Sequence, residues 1–295
     1  VRLSYVIVTR NRRENLLKTL ARLEENTLLP RHAWEAIVVD NASEDDSPLA
    51  VKRAFRETRI VRLEENEGMP ARNHGFAIAQ GRYVALIDDD SYPIGRAVPQ
   101  SLTYLDRHAN TAAIVARVVL PNGMVEGPAL PNVLLGGASI LRKSVLDTVG
   151  GFSPEFFRQA EEYDLSFRIL AAGFRIERFE DVEFFHEKVP GGRSSALTHR
   201  MDLRNNLILV ERFLPRELRR AYRRDWIRRY SAFAMHEGHR DAAERALSEA
   251  RVWARREKSV GRRTLGGEAL ETIFRFDEQV KSVGTWAKEH GVQTV

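Results

Sequence analysis

Along the first ninety or so residues, short apolar runs alternate with segments whose apolar residues recur at helical spacing. Leu3 to Thr9 is rich in β-branched and aromatic residues and predicts a strand. Leu16, Leu17, Leu20 and Leu23 then recur at the spacing of one helix face. Trp34 to Val39 predicts a second strand, 47–57 a helix, and Ile60 to Leu63 a third strand. Pro70 opens a helix running to Ala79, proline being tolerated in a first turn. Tyr83 to Ile87 predicts the fourth strand. Four strand–helix units with unbroken apolar strands imply a parallel sheet covered on both faces. Each of these strands ends in polar residues, so Thr9, Asp40 and Asp88 to Asp90 are expected along one carboxyl edge.

The second half has a different texture. The pattern predicts a helix over 97–108, a strand over Ala113 to Leu120, a turn at Asn122-Gly123 and a loop over 121–132. Gly136 to Leu141 predicts a small-residue strand that another backbone or a ligand can approach closely. A helix from Ser144 stops at Gly150-Gly151, and another runs from Glu161 to Ala172 with Gly173 behind it. Ile176 to Phe185 contains a strand ending at His186; Pro190 to Ser195 predicts a mobile loop; helices follow from His199. These include Ala242–Arg256 and a last helix over 268–290.

Composition adds three limits. With 43% hydrophobic and 29% charged residues, the 295-residue chain suits a globular protein. No apolar run has the length of a membrane span, and no signal-peptide core opens the chain. Val1 is not a natural start, so preceding residues are expected. Cysteine is absent, which excludes disulfides, thiolate metal sites and a cysteine nucleophile. A cytoplasmic location, at most at the inner face of a membrane, is the expectation.

Three consecutive carboxylates, Asp88 to Asp90, end an apolar run. Alone they fit a solvated turn; at the carboxyl edge of a parallel sheet they fit a divalent-metal and ribose site. Glu161, Glu162 and Asp164 sit at a helix start, where the macrodipole favours acids. A general base there and a dipole partner are compatible roles.

The ordered pieces resemble the family 2 glycosyltransferases. They are Thr9-x-Asn11-Arg12; Val38 to Ser43; Asn66-Glu67-Gly68 with Ala71-Arg72-Asn73 and Gly75; Leu86 to Asp90; Gly150-Gly151-Phe152; Glu161 to Arg168; and His186. The resemblance covers about residues 3–213. It implies a GT-A fold: an α/β, Rossmann-like, mostly parallel sheet flanked by helices. The donor-binding half would be 1–110, the acceptor half 111–213, and 214–295 a basic helical extension. It further implies an inverting, metal-dependent transfer of a sugar from a nucleotide-diphosphate donor to an acceptor hydroxyl, the acceptor being a sugar, a lipid-linked carrier or a small molecule. By position, Thr9, Asn11, Arg12, Asp40, Arg72, Asn73, Asp88 and Asp89 would serve the donor. Asp90, Asp88 and His186 would hold Mn²⁺ or Mg²⁺, and Glu162 would be the base. The family commonly has Asp at the position of Glu162, which leaves Glu161 and Asp164 as alternatives or supports. Two rival readings stand beside this one: a nucleotidyltransferase making a nucleotide sugar, and a catalytically inactive domain that only binds. The nucleotidyltransferase expects a glycine-rich loop after the first strand, where this chain has none.

The net charge of +5 is local: residues 200–263 carry 18 Lys/Arg against 9 Asp/Glu. Over 214–230, arginines interleave with Leu218, Tyr222, Trp226, Ile227 and Tyr230 as in an amphipathic basic helix. Packing onto the body with a solvated basic face ranks first, and peripheral membrane binding second. No nucleic-acid motif accompanies the arginines. A homo-oligomer is compatible with the sequence.

Overall fold

A computed structural model describes residues 1–126, 132–189, 195–260 and 265–266, with backbone alone for 258–260. The predicted loop over 121–132 is thus described only at its two ends. The Pro190–Ser195 loop, Ser195 excepted, and the helix over 268–290 lie outside the described residues.

The first strand, β1 (Leu3–Thr9), is buried over almost its whole length, as its unbroken apolar run requires. On one side of it run β2 (Trp34–Asp40) and β3 (Arg59–Arg62); on the other runs β4 (Tyr83–Asp88). All four are parallel. The connecting helices are α1 (Arg13–Asn26), α2 (Ser47–Ala54) and α3 (Arg72–Ile78). Helix α1 buries Leu16, Leu20 and Leu23 of the predicted face, with Thr19 completing the i, i+3, i+4, i+7 stripe and Leu17 only partly buried. Residues 69–71 form a separate 3₁₀ turn ahead of α3, so proline precedes the α-helix proper.

Beyond β4 the sheet becomes mixed. Strand β8 (Ser139–Arg142) lies between β4 and β6 (Thr111–Val119) and is antiparallel to both. Then β9 (Arg175–His186) pairs parallel with β6, and the three-residue β5 (Ser91–Pro93) closes the edge antiparallel to β9. Strand β7 (Val125–Glu126) pairs with the end of β6. Among the described residues, six of the nine strands run in one direction. Helices α4 (Ala97–Arg107), α5 (Lys143–Val149) and α6 (Glu161–Ala171) complete the layers.

Three further helices follow: α7 (Ser195–Phe213), α8 (Arg216–His236) and α9 (Arg240–Val260). They share an apolar cluster with the body. Leu203, Leu207 and Phe213 of α7 and Trp226 of α8 pack in one group with Phe156 and Phe167. The Phe167 and Phe213 rings meet edge to face at 5.4 Å. No helix among the described residues is long and apolar enough to cross a membrane.

Candidate active site

Parallel pairing decides which chain ends meet. In register, Thr9 is opposite Asp40, and Val8 is opposite Asp88, so the polar ends of β1, β2 and β4 form one edge. The loop after β1 turns at Asn11, which has φ of +54°. That conformation is uncommon outside glycine but tolerated by asparagine. Asn11 accepts from the backbone N–H of Glu44 at 2.7 Å, and its own N–H donates to Ser43 Oγ at 3.0 Å. The loops after β1 and β2 are thereby tied together, and Arg12 is directed at the acids.

Each member of the aspartate triplet is held differently. Asp89 is buried, accepts from Thr9 Oγ1 at 2.8 Å and meets Arg12 Nη1 at 3.2 Å. Burial dominates, and its carboxyl is pushed up to about 7 despite Arg12. Asp90 is equally buried, but it accepts from Arg12 Nη2 at 2.7 Å and from the Val189 N–H at 3.1 Å, and it faces His186 Nε2 at 3.4 Å. Burial raises this carboxyl, but the His186 bond and the Arg12 charge outweigh burial, and it falls to about 2. Asp88 is the most exposed of the three and accepts from Arg72 Nη2 at 2.6 Å.

His186 arrives because β5 and β9 pair with Ser91 opposite it. Its Nδ1 lies 3.2 Å from Glu126 Oε2, which leaves Nε2 to face Asp90. Burial lowers the imidazole pKa, but the bond to Asp90 and the surrounding acids outweigh it, so the net direction is up. One ligand atom each from Asp88, Asp90 and His186 falls within 4.8 Å of the others. Two carboxylate oxygens and an imidazole nitrogen suit a hard or borderline divalent cation.

A second pair of acids lines the same cavity. Glu161 and Glu162 open α6, and both line, with Thr9, Arg12 and Asp88 to Asp90, a cavity of about 330 Å³. Glu161 is buried, one of its oxygens has no hydrogen-bond partner, and burial and the Glu162 charge raise its pKa well above the usual range. Glu162 is partly exposed, and burial raises its pKa, with Arg72 opposing and Asp88 reinforcing. Arg72 is completely buried, and its Nη2 also donates to the carbonyls of Ile87 and Gly136. Glycine at 136 and 137 is a spatial requirement. A Cβ on Gly136 would sit 2.7 Å from Glu162 Oε1, and one on Gly137 would sit 2.9 Å from Asp88 Oδ2.

Three residues that the resemblance places in or beside the site are not among those lining the cavity. The Asn73 amide donates to the Phe152 carbonyl and accepts from the Phe152 N–H, both at 2.8 Å, so it pins a loop and does not line the cavity. Asp40 is fully buried; Arg62 lies 3.7 Å away, neither carboxylate oxygen has a hydrogen-bond partner, and the next residue, Asn41, reaches the cavity instead. Asp164 does not face the cavity. It accepts from Ser153 Oγ at 2.6 Å, Arg168 Nε at 3.0 Å and Arg212 Nη1 at 2.6 Å, a network away from the cavity. The sequence pattern misses Glu126, which orients His186, and Asp202, Arg204 and Asn205 of α7, which hold the loop ahead of Glu161. None of these lies in a recognisable motif.

The sequence profile described as glycosyl transferase family 2 matches residues 4–182. The chain belongs to glycosyltransferase family 2. A curated relative, the succinoglycan biosynthesis protein ExoU of Rhizobium meliloti, is 27% identical over 216 residues, which is 63% of each protein. The match therefore spans less than two-thirds of that relative's length. Among solved structures, Staphylococcus aureus TarS 1–349 in complex with UDP-GlcNAc superposes with a TM-score of 0.66 at 17% identity, over 99% of this chain and 92% of that one. The mannosyltransferase PcManGT from Pyrobaculum calidifontis, solved with GDP-Man and Mn²⁺, gives a TM-score of 0.59 at 20% identity, over 97% and 83%. Identities this low speak for the fold, and the fold is GT-A.

Proposed function

We propose that this family 2 member transfers a glycosyl group from a nucleotide-diphosphate sugar to an acceptor hydroxyl, with inversion and with Glu162 as general base. The observation that carries this reading is a single cavity in which the aspartate corner at the sheet edge faces Glu162 at the start of α6. Inversion needs a nucleophile and a leaving group on opposite sides of the sugar, the nucleophile activated at Glu162 and the leaving group held at the aspartate corner.

The chain's residues divide the work. Asp88 and Asp90 with His186 would hold Mn²⁺ or Mg²⁺. The cation would neutralise the diphosphate as it departs. Arg12 balances the charge of Asp89 and Asp90, and Thr9 holds Asp89 in place. Glu162, whose pKa is raised by burial and by the nearby Asp88, is more basic than an ordinary glutamate and would accept the acceptor's proton. Arg72 limits that rise and keeps Asp88 from repelling Glu162 outright.

The TarS and PcManGT complexes hold UDP-GlcNAc and GDP-Man, and these support a nucleotide sugar as donor here. The relative WfaP of Escherichia coli is described as acting on a GlcNAc-diphosphoundecaprenol acceptor, which supports a lipid-linked acceptor. The surface of α8 agrees with that choice. Arg216, Arg220 and Arg224 follow one another at one-turn spacing, are exposed, pair with no acid among the described residues and line a groove of about 910 Å³. Such a stripe suits peripheral attachment to an anionic lipid surface, at roughly 1 kcal/mol per arginine. Cosedimentation with anionic but not zwitterionic vesicles, lost on reversing the three charges, tests that attachment.

The test of the transfer reading is nucleotide release from a panel of nucleotide sugars, with and without chelator, by wild type and E162Q. Metal-dependent release in wild type and its collapse in E162Q are expected. Near-wild-type release by E162Q removes the base. Nucleotide binding without any turnover favours the inactive binding domain.

A further inference from the structure

Glu161 and Glu162 enter α6 from a costly backbone. Gln159 and Ala160, consecutive and neither glycine, have φ of +67° and +61°. Such left-handed residues typically cost about 1–3 kcal/mol each and persist only where the surroundings enforce them. The enforcing groups come from α7, beyond the residues matched to the family. Asn205 is completely buried, and its Nδ2 donates to the carbonyls of Arg158 at 2.8 Å and Gln159 at 2.6 Å. Arg204 Nε donates to Asn205 Oδ1 at 2.8 Å, which orients the amide with its nitrogen toward those carbonyls. Arg204 also donates to the Glu155 carbonyl, and Gln159 Nε2 donates to Asp202 Oδ1 at 3.0 Å. Arg158 and Gln159 themselves line the cavity.

We propose that Asn205 is a positioning residue for the transfer reaction: its amide holds Gln159 and Ala160 left-handed and thereby sets the Glu162 carboxylate against the cavity. The inference rests on the reading of Glu162 as base. The opposing possibility is that Asn205 contributes stability alone. Geometry separates the two, because the restrained carbonyls stand three and four residues from Glu162 and on the cavity wall. A small rotation about Gln159–Ala160 would therefore move the carboxylate as well as the wall.

The experiment compares N205D, A160G and N205D/A160G with wild type and E162Q, using kcat and donor KM at a temperature where circular dichroism shows each folded. Aspartate keeps the shape of asparagine and removes the donor. Glycine adopts the left-handed conformation without the steric cost. The expected result is a fall in kcat of about 10²-fold in N205D, as misplacement of a reacting group by about 1 Å produces. Donor KM should stay near wild type, and A160G should return most of the lost kcat. Wild-type kcat in N205D overturns the proposal. So does an A160G substitution that raises the Tm of N205D without raising its kcat, because that is the signature of stability alone. If N205D does not fold, N205S, whose shorter side chain cannot reach both carbonyls, takes its place with the same expected and overturning results. A fully active E162Q removes the base reading and this inference with it. An inactive E162Q beside an active N205D removes this inference only.

Discussion

Asp90 at the sheet edge and the acids at the start of α6 are held on opposite electrostatic plans. Asp90 is buried but compensated by Arg12, His186 and a backbone N–H, which hold its pKa down, whereas its neighbour Asp89 is pushed up by burial despite Arg12 and Thr9. At the start of α6, Glu161 and Glu162 are desolvated together, and burial outweighs the opposing Arg72 charge and backbone hydrogen bonds. Compensation keeps a carboxylate ionised and ready for a cation. Desolvation beside a like charge makes a carboxylate basic. One cavity can thus hold a leaving group's countercharge and a proton acceptor a short distance apart without the two roles cancelling.

Removing the base should have the largest effect. E162Q is expected to lower kcat by about 10²–10⁴-fold, the usual contribution of a general base. It should also raise the Tm at neutral pH. For an acid whose folded pKa is raised, the native state binds more protons, so its stability is present below the ordinary carboxylate range and lost as pH rises through the folded pKa. Glutamine removes that loss. A variant that is both inactive and less stable would contradict the desolvation account.

The sheet-edge acids should respond through the metal. E126Q leaves the ligands in place and weakens the group that orients His186. It is expected to raise the Mn²⁺ concentration for half-maximal turnover by about 10–100-fold, as loss of such outer partners does. No change would show that Glu126 does not set the imidazole's orientation. R12A should cost about 1–3 kcal/mol by leaving buried acids without their cation, read from chemical denaturation. An unchanged midpoint would show that Asp89 and Asp90 are compensated some other way.

The smallest catalytic effect is expected at a residue in neither group. N73A removes both bonds to the Phe152 backbone, and about 1–3 kcal/mol of stability should go with them, while donor KM stays near wild type. A large rise in donor KM would return Asn73 to the donor site.

What was legible in the sequence follows from the range of the forces involved. The unbroken apolar strands and their polar ends are local signals, and parallel pairing then forces Thr9 and Asp88 to one edge. The direction of β8 and the existence of β5 depend on distant partners. A three-residue strand ending in Pro93 has no periodicity to read. The same limit applies within the site. The roles of Glu162 and Asp164 look alike at the start of a helix. Only the arrival of Arg212, 48 residues away, shows that Asp164 is locked in an ion network. Asn205 acts across 46 and 47 residues of sequence, and no helical pattern in α7 announces it.

The central claim is that Glu162 is the proton acceptor and that desolvation tunes it. The most direct measurement is the pH dependence of kcat at saturating donor and metal for wild type, E161Q and E162Q. A base works deprotonated, so activity should rise with pH through the Glu162 pKa. The account predicts an acid limb in wild type centred above the ordinary glutamate value of about 4.3. That limb should remain in E161Q and vanish in E162Q. An acid limb that survives unchanged in E162Q would contradict it.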